Sequence, residues 1–426
     1  MFDRDKNVIA IIGLGYVGLP LAISFSKKLK VIGFDINNYR INELRAEIDS
    51  TDEVDFESLK SSNVLFTNKN NDIRQANIFI VTVPTPINDA NDPDLSALMS
   101  ATKTVGQALK KDDLVVFEST VYPGTTSQIC VPILEKESNL DLNNDFFVGY
   151  SPERINPGDK SNKLEEIVKV TSGSNDYSSK FVDNLYSEII SAGTFKASSI
   201  EVAEAAKIIE NTQRDINIAL MNECSQLLSK LNIPMKEVLE AANTKWNFLN
   251  FHPGLVGGHC IGVDPYYLAY LAKLNKLDSK MILSGRSTND FMGEYIFKSF
   301  LKEYIQKNLA ILTKKILVLG ITFKKDCPDA RNSKVIELVA MLDDYGFEIE
   351  CVDPYSSQID IDKKIFSKIS KQFNSGNSGY AAIFYAVDHN AFSDISVEIL
   401  RENLVKNGLI YDLTHRFETD DVNWQI

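Results

Sequence analysis

Two kinds of hydrophobic pattern alternate along the chain and predict a mostly parallel α/β fold. Short runs of consecutive apolar residues, typical of strands buried on both faces of a sheet, are separated by stretches in which apolar positions recur with helical spacing. This alternation favours strands joined through helices over hairpins. The strands predicted in the first part of the chain are Val8–Ile12, Val31–Asp35, Ile78–Val83, Leu114–Glu118 and Phe146–Tyr150.

The pattern becomes helical at Ser198 and stays so to about Leu231. The segment Ser198-Ser199-Ile200-Glu201 resembles a capping box, which marks the start of a helix. A helix of this length spans roughly 45–50 Å and suits a connector between domains. Its length also favours a dimer core over a simple surface helix. A second helical stretch is predicted from about Ser279 to Lys307.

Strand patterns return after these helices and predict a second Rossmann-like domain. Its first strand, Lys315–Gly320, leads into a turn that lacks the glycine spacing needed to seat a pyrophosphate. This domain is therefore expected to bind a different ligand. Residues Ser367 to Gly379, rich in Ser, Asn and Gly, are predicted to form a mobile surface loop. A helix is predicted after Ser333, with further strands at Glu348–Asp353, Ala382–Ala386 and Leu409–Asp412.

A glycine motif after the first predicted strand indicates a dinucleotide site. Gly13, Gly15 and Gly18 form G-x-G-x-x-G between a strand and a helix, which permits a tight turn, close approach of a pyrophosphate and helix packing. Asp35 ends the next strand, where a carboxylate binds ribose hydroxyls and repels a 2′-phosphate, so NAD is favoured over NADP. Arg40, one helical turn further on, can stack on the adenosine and leaves this preference open. The alternative is a glycine turn without a ligand, which the complete βαβ pattern argues against.

Cys260 is the most informative single residue of the chain. It lies in Gly257-Gly258-His259-Cys260-Ile261-Gly262-Val263-Asp264, where glycines leave room for a substrate to approach the thiol. A reactive thiol combined with a dinucleotide site predicts an oxidation that passes through a covalent thioester. The alternative is a packed cysteine that acts as a small hydrophobic residue.

Composition narrows the class of protein. The 426 residues are enough for two or three domains, and a net charge of −13 argues against a nucleic-acid or anionic-membrane partner. No apolar run approaches a membrane span, and the N-terminus lacks the apolar segment of a signal peptide, so a cytoplasmic protein is expected. Five cysteines without a CxxC pair and four scattered histidines predict neither a disulfide framework nor a metal site.

Polar side chains at strand ends and on the long helix add candidate chemistry. Lys207 and Asn211, at i and i+4, can hold an alcohol and stabilise its oxyanion, although a solvated helix surface explains the spacing equally well. Glu153 and Thr120 follow buried strands and are candidates to activate and position water. Thr85 lies in a turn that two prolines stiffen. An ordinary role in turn structure remains the alternative for each of the three loop residues.

Four segments resemble the nucleotide-sugar 6-dehydrogenases, the group of UDP-glucose and GDP-mannose dehydrogenases, over essentially the whole chain. The likeness is greatest to the bacterial UDP-N-acetylglucosamine and UDP-N-acetylgalactosamine 6-dehydrogenases of the Vi-polysaccharide and O-antigen type. The order and spacing of the segments make the match specific, and the departures at His252, Pro328 and Ala330 concern only contacts to phosphate or sugar. The four segments are Gly13–Pro20, Ser151–Gly158, Glu204–Asn211 and Pro253–Tyr267.

The resemblance implies an α/β fold of two Rossmann-like doubly wound domains joined by a long central helix and a helical dimerisation region. The implied domains are an NAD-binding domain at 1–197, a central helical domain with the catalytic cysteine loop at 198–308, and a UDP-sugar-binding domain at 309–426. The implied catalytic residues are Cys260 as nucleophile, Lys207, Asn211 and Asp264 around the reacting oxygen, and Glu153 with Thr120 for thioester hydrolysis.

The same motifs assign the expected contacts to cofactor and substrate. The residues expected to bind NAD are Gly13, Gly15, Tyr16, Val17, Gly18, Asp35, Arg40, Thr85, Thr120 and Arg331. The residues expected to bind the UDP-sugar are Glu153, Arg154, Lys207, Asn211, Gly257 and Lys324.

The sequence thus predicts a cytoplasmic homodimer that oxidises C6 of a UDP-N-acetylhexosamine, UDP-GlcNAc or UDP-GalNAc, to the uronic acid for surface polysaccharide biosynthesis. The reaction would use two NAD molecules in turn and no metal. UDP-glucose and UDP-N-acetylmannosamine remain open as substrates. A single-step dehydrogenase of the 6-phosphogluconate type and a non-catalytic NAD-binding protein are the remaining alternatives.

Overall fold

The computed structural model describes residues 6–155, 163–359, 369–374, 376 and 379–426. The chain divides into two compact units, and the division falls inside the long helix and near Tyr266. The first unit comprises Met1–Glu210 with Tyr266–Asp278, and the second comprises Asn211–Pro265 with Ser279–Ile426. The three-domain division stays a prediction. The Asn156-Pro157-Gly158 end of the Ser151–Gly158 segment and much of the predicted 367–379 loop lie outside the described residues.

The first unit contains a sheet whose described strands number eight, in the order β3-β2-β1-β4-β5-β6-β7-β8. Its pairs are parallel except β6 with β7, which is antiparallel. The strand order reverses direction between β1 and β4, which creates a crevice at their carboxyl ends. The strands are β1 Val8–Ile12, β2 Lys30–Phe34, β3 Val64–Thr67, β4 Ile78–Val81, β5 Leu114–Phe117, β6 Phe147–Tyr150, β7 Lys169–Gly173 and β8 Thr194–Lys196.

The second unit has a smaller sheet that the described residues form from six strands, in the order β11-β10-β9-β12-β13-β14. All its pairs are parallel, and its order reverses between β9 and β12. Part of the predicted mobile loop is strand β11 of this sheet. The strands are β9 Lys315–Leu319, β10 Glu348–Val352, β11 Ile369–Ser370, β12 Tyr380–Tyr385, β13 Leu404–Asp412 and β14 Trp424–Gln425.

Helices connect the strands and join the two units. The predicted second helical stretch, Ser279–Lys307, matches helix α11. The α-helices are α1 Gly18–Ser26, α2 Asn38–Arg45, α3 Phe56–Lys60, α4 Asn70–Ile73, α5 Ser96–Gly106, α6 Val131–Ser138, α7 Asp176–Ser187, α8 Ile200–Lys230, α9 Met235–Asn243, α10 Asp264–Leu274, α11 Lys280–Gln306, α12 Lys334–Asp344 and α13 Val397–Glu402. Among the described helices, none is both long and apolar enough to cross a membrane.

Helix α8 begins two residues later than the sequence suggests. Ser199 precedes the helix, and its hydroxyl accepts a hydrogen bond from the backbone N–H of Val202 at 3.3 Å. The carboxylate of Glu201, which a capping box would direct back to the helix start, instead accepts a bond from the Ser127 hydroxyl at 2.8 Å. The capping box proposed from the sequence is therefore replaced by a simpler serine cap.

Continuous apolar strands explain how each sheet is buried on both faces. In β1, Ile9 and Ile11 belong to one hydrophobic cluster, while Ala10 and Ile12 belong to the cluster on the opposite face. Strand β9 repeats this alternation in the second unit. Side chains of a strand point alternately to the two faces, so an all-apolar run requires helices on both sides. The predicted fold class, two doubly wound Rossmann-like sheets with a long central helix, is confirmed.

Candidate active site

The glycine turn after β1 has the geometry that a dinucleotide site requires. Gly13 has a φ of +97°, in the left-handed region that favours glycine. A β-carbon on Gly18 would lie 1.9 Å from the carbonyl oxygen of Gly13, so this glycine is needed for helix α1 to pack on the turn. Gly15 is exposed, and a β-carbon there would meet no atom within 4 Å. The open space over Gly15 leaves backbone accessible to a ligand.

Asp35, which directly follows β2, holds the same turn. Its Oδ2 accepts a hydrogen bond from Leu14 N at 2.9 Å, and its Oδ1 accepts one from Asn37 N at 2.8 Å. The side chain is partly exposed, so lone pairs remain for a ribose. Gly15, Asp35 and the start of α1 thus fit NAD, with Tyr16 and Val17 partly exposed between Gly15 and Gly18.

Arg40 takes a different position from the adenosine-stacking one considered from the sequence. Its guanidinium is buried, with Nε donating to the carbonyl of Leu14 at 2.8 Å and Nη2 lying 2.9 Å from Asp49 Oδ1. It also pairs with Glu43 on the same helix. Arg40 therefore braces the glycine turn from within the protein.

The loops after β4 and β5 are joined to each other by hydrogen bonds. The Thr85 hydroxyl donates to the carbonyl of Thr120 at 2.6 Å, and the Ser119 hydroxyl donates to the carbonyl of Val83 at 2.6 Å. Tyr267, on α10, donates its hydroxyl hydrogen to Thr85 O at 2.6 Å. These bonds fix Thr85 and Thr120 at the carboxyl edge of the sheet, next to the crevice between β1 and β4.

Glu153 is buried, and its carboxylate has partners that the sequence did not suggest. Its Oε2 lies 2.8 Å from the ammonium of Lys169, and its Oε1 accepts the backbone N–H groups of Arg154 and Ile155, both at 2.6 Å. Lys169 begins β7, a strand that the sequence analysis missed. Its side chain is 2% exposed, so it is committed to this cluster.

A second carboxylate shares the same lysine. Glu118 Oε2 lies 2.8 Å from Lys169 Nζ, and the hydroxyl of Tyr186 donates to Glu118 Oε1. Burial raises the pKa of Glu118 to about 7, against the opposing charge of Lys169. Burial also acts to raise the pKa of Glu153, but Lys169 and the two backbone N–H groups hold it below its ordinary value. The site thus holds one carboxylate that stays ionised and one that titrates near neutrality.

Helix α8 carries the next two candidate residues. Lys207 is buried with 8% exposure, so the solvated helix surface considered from the sequence does not describe it. Asn211, one turn on, donates from Nδ2 to Asp264 Oδ2 at 2.5 Å. Arg154 is paired with Glu210 at 2.6 Å and donates to the carbonyl of Val168.

Cys260 lies just before helix α10 and is partly exposed. Its carbonyl oxygen accepts the backbone N–H of Asp264 at 2.8 Å, which closes one helical turn between thiol and carboxylate. A β-carbon on Gly258, whose φ is +82°, would lie 2.7 Å from the ring of Phe323. A β-carbon on Gly257 would lie 2.5 Å from Asn332 O. These two glycines are therefore required by packing within the second unit, a reason different from the substrate access inferred from the sequence.

His259, beside the candidate nucleophile, makes a contact that was not foreseen. Its Nε2 lies 2.9 Å from Asp329 Oδ2, and Arg331 donates to the same carboxylate at 2.7 Å. Burial of Asp329 opposes ionisation, but the bonds from His259 and Arg331 keep its pKa well below the ordinary value. Arg331, expected at the cofactor, is thus paired with Asp329 and remains more than half exposed.

A pocket of about 270 Å³ lies in the second unit and includes Lys324. It is at the carboxyl ends of β9, β12 and β13, where ligands bind in sheets of this type. Gly320, with a φ of +84°, turns the chain at the end of β9. The lining residues are Gly254, Leu255, Gly257, Thr322, Phe323, Lys324, Lys325, Ser333, Lys334, Val335, Ala386, Val387, Asp388, Leu413 and Thr414.

The candidate residues are thus distributed over both units. Thr85, Thr120, Glu153, Arg154 and Lys207 belong to the first. The second contains Asn211, Gly257, Cys260, Asp264, Lys324 and Arg331.

Comparison with known families decides the class of the protein. The chain matches the UDP-glucose/GDP-mannose dehydrogenase family in three consecutive parts: its NAD binding domain at residues 7–190, its central domain at 201–291 and its UDP binding domain at 317–419. The chain belongs to this family. It is an NAD-dependent dehydrogenase, in agreement with the cofactor predicted from the glycine turn and Asp35.

Curated relatives and solved structures agree with this assignment. The chain is 49% identical to UDP-N-acetyl-D-glucosamine 6-dehydrogenase of Pseudomonas aeruginosa over 97% of both chains. It is 47% identical to the protein of the same name from Salmonella typhi, again over 97% of both. The structure of UDP-D-ManNAc dehydrogenase from Pyrococcus horikoshii superposes with a TM-score of 0.85 and 29% identity, covering 98% of each chain. The family resemblance inferred from the sequence motifs is confirmed.

Proposed function

We propose that this enzyme oxidises C6 of a UDP-N-acetylhexosamine, UDP-GlcNAc or UDP-GalNAc, from the alcohol to the carboxylate. The observation that carries the chemistry is the partly exposed residue Cys260, one turn before Asp264, whose carboxylate is bound by the Asn211 amide. The choice of sugar is supported by the two relatives at 49% and 47% identity, which are named UDP-N-acetyl-D-glucosamine 6-dehydrogenases.

The residues of the glycine turn hold NAD, which supplies the hydride acceptor when bound. Asp35 binds the ribose hydroxyls, and the exposed backbone at Gly15 faces the pyrophosphate. The brace formed by Arg40 keeps this turn rigid before the cofactor arrives. Thr85 and Thr120, joined by their hydrogen bond, complete the edge of the cofactor site.

Lys207 and Asn211 bind the oxygen on C6 as its charge changes. The ammonium and the amide are hydrogen-bond donors, and donors held in place stabilise an oxyanion without reorganisation. Asp264 accepts from the Asn211 amide and thereby fixes the direction of the remaining amide hydrogen. Because Lys207 is buried, its charge is little screened by water and acts strongly at short range.

Cys260 holds the substrate between the two oxidations. Its thiolate adds to the C6 aldehyde to give a thiohemiacetal, and loss of the second hydride from that carbon leaves a thioester. Water then attacks the thioester carbon, one water proton passes to Glu153, and the C–S bond breaks to return the Cys260 thiolate. Thr120 positions this water. The products are the uronic acid and the free enzyme.

The pocket of the second unit is assigned to the UDP group. Lys324 lines it and provides a positive charge for a phosphate, while Gly257 and Phe323 shape its wall. The absence of a G-x-G-x-x-G motif at the turn after β9 fits a ligand other than a dinucleotide. Arg154 and Arg331 are bound to Glu210 and Asp329, so we assign them roles in organising the loops that face the ligands.

We further place the enzyme in the cytoplasm as a homodimer that serves surface polysaccharide biosynthesis. Helix α8 supports the dimer, because within the second unit it exposes Leu220 and Leu227, and Leu231 just beyond its end, at 53–60%. Exposed apolar patches of this kind commonly mark protein interfaces. The five cysteines, all among the described residues, form no disulfide, which supports a reducing compartment.

One assay tests the proposal. Purified protein is incubated with NAD and each of UDP-GlcNAc, UDP-GalNAc, UDP-ManNAc and UDP-glucose, and NADH is followed against sugar consumed. We expect two NADH per sugar and the highest kcat/KM with UDP-GlcNAc or UDP-GalNAc. One NADH per sugar with a free aldehyde or ketone would refute the covalent mechanism, and NAD binding without turnover of any sugar would refute the enzymatic role.

A further inference from the structure

The cluster of Glu118, Lys169 and Glu153 contains two ionisable groups, Glu118 and Lys169, that have no role in the proposed reaction so far. Lys169 Nζ lies 2.8 Å from a carboxylate oxygen of each glutamate. Side-chain exposure is 2% for Lys169, 0% for Glu118 and 8% for Glu153. The three groups lie at the carboxyl edge of the first sheet, on segments that follow β5 and β6 and at the start of β7.

Two ionised carboxylates with one ammonium leave a net negative charge in a buried site. Such a charge is costly unless a proton or further donors offset it. The other groups that the described structure places against Glu118 are Tyr186, whose hydroxyl donates to it, and the Lys169 ammonium, which also lies 5.3 Å above the Tyr186 ring. Tyr186 is neutral, so Lys169 supplies the one positive charge among these described groups. We therefore infer that the two carboxylates share one proton. How tightly each carboxylate binds that proton depends on its other hydrogen-bond partners.

The two carboxylates differ in proton affinity because their other hydrogen-bond partners differ. Glu153 accepts two backbone N–H groups in addition to Lys169, and these favour its ionised form. Glu118 has the weaker set of donors, and its pKa of about 7 places the shared proton there at neutral pH. Glu153 thus keeps its charge in spite of being buried, as a base must.

We propose that Lys169 and Glu118 are positioning residues for thioester hydrolysis, which together set the direction and basicity of the Glu153 carboxylate. The inference rests on the proposed function, since it concerns the step in which Glu153 takes a proton from water. When Glu118 loses its proton, a second negative charge competes for Lys169 and makes Glu153 the stronger base. Two charges that share one lysine interact strongly enough to change the rate of a base-catalysed step by about tenfold.

The test isolates hydrolysis from the two oxidations. Enzyme is mixed with UDP-GlcNAc and NAD, quenched at increasing times, and the sugar covalently bound at Cys260 is followed by mass spectrometry of the intact protein from pH 6 to 8.5. In the wild type, decay of this adduct should accelerate by about tenfold through pH 7. The Glu118→Gln variant, whose amide cannot ionise, should decay at the slower rate throughout and show no inflection.

A second variant tests the lysine. Lys169→Met removes the charge that keeps Glu153 ionised, so we expect a burst of two NADH per site followed by an adduct that persists at least about a hundredfold longer. Lys169→Arg should restore part of the hydrolysis rate. Lys180→Met removes an exposed lysine of helix α7 and should behave as wild type. If Lys169→Met does not fold, the pH profile of Glu118→Gln decides alone.

The outcomes separate this inference from the proposed function. A wild-type enzyme that forms no adduct and no uronic acid with either UDP-GlcNAc or UDP-GalNAc would refute the proposed function itself. A wild type that forms and hydrolyses the adduct, with Glu118→Gln showing the same inflection, would refute the role of Glu118. If Lys169→Met hydrolyses the adduct more slowly by the same factor at every pH and keeps the inflection, the cluster only supports the fold and the positioning role of Lys169 is refuted.

Discussion

Replacing Gly15 or Gly18 of the cofactor motif by alanine should have different effects: loss of NAD affinity at residue 15 and loss of stability at residue 18. A β-carbon at residue 18 would lie 1.9 Å from Gly13 O and 2.5 Å from the hydroxyl oxygen of Thr82, so backbone must move to admit it. Overpacking of this kind costs about 3 kcal/mol. A β-carbon at residue 15 would meet nothing within 4 Å, and Gly15 has no positive φ.

We therefore expect Gly18→Ala to lower the free energy of unfolding of the protein without cofactor by about 3 kcal/mol. Gly15→Ala should leave it unchanged or raise it by up to about 1 kcal/mol, because alanine reduces the entropy of the unfolded chain. If the pyrophosphate passes over Gly15, however, the added methyl group should weaken NAD binding at least about tenfold, equivalent to about 1.4 kcal/mol.

Urea unfolding of the protein without cofactor measures the first quantity, and calorimetric titration with NAD measures the second. The pair of variants is its own control, since the two changes add the same methyl group three residues apart. Unchanged NAD affinity in a folded Gly15→Ala protein would show that the pyrophosphate lies elsewhere. Wild-type stability of Gly18→Ala would refute the packing argument.

Three further outcomes follow from the geometry. Asp35→Asn can keep the acceptor for Leu14 N but loses the acceptor for Asn37 N and the charge, so the ratio of kcat/KM for NAD over NADP should fall about tenfold. An unchanged ratio would assign the selectivity to another group. Cys260→Ser should abolish uronic acid formation and leave at most a slow first oxidation or a trapped ester, whereas full activity per folded molecule would make Cys260 a packing residue. Arg286→Met removes the guanidinium that lies 2.6 Å from the buried carboxylate of Asp215. It should lower the free energy of unfolding by about 3–5 kcal/mol, measured by chemical denaturation. A loss below about 1 kcal/mol, as expected for an exposed ion pair, would refute this.

Elements built on continuous apolar runs were predictable from the sequence because burial on both faces leaves a local signal. Strand β7 was not, since Lys169-Val170-Thr171-Ser172-Gly173 mixes charged and polar residues. The first four of these residues are nevertheless buried, because their polar groups are bonded to partners outside the strand. Lys169, for example, lies 2.8 Å from Glu118, which is 51 residues away. No periodicity within the strand can indicate such a partner.

In the candidate site, too, features set by neighbouring residues could be predicted from the sequence, whereas features set by residues far along the chain could not. Gly13, Gly15 and Gly18 could be interpreted from spacing, since the turn they form is local. The requirement for glycine at 258 comes from Phe323, a residue of the turn that follows β9, and so it has no signal near Cys260. Lys207 could equally have been solvated, and only the packed structure shows that it is buried. Sequence motifs thus indicated candidate residues, while tertiary contacts determine which of them are buried and which groups they contact.

The two units build the same turn and adapt it to different ligands. In the first, Asp35 accepts Leu14 N at 2.9 Å through Oδ2 and remains partly exposed. In the second, Asp353 accepts Ile321 N at 2.7 Å through Oδ2 but has no exposed surface, because His389 lies 3.3 Å from that oxygen. An exposed carboxylate can bind a ribose, whereas a covered one can only hold the turn. We therefore expect the second unit to bind its ligand through side chains that follow this turn, among them Lys324 in the adjoining pocket, whose positive charge suits a nucleotide phosphate.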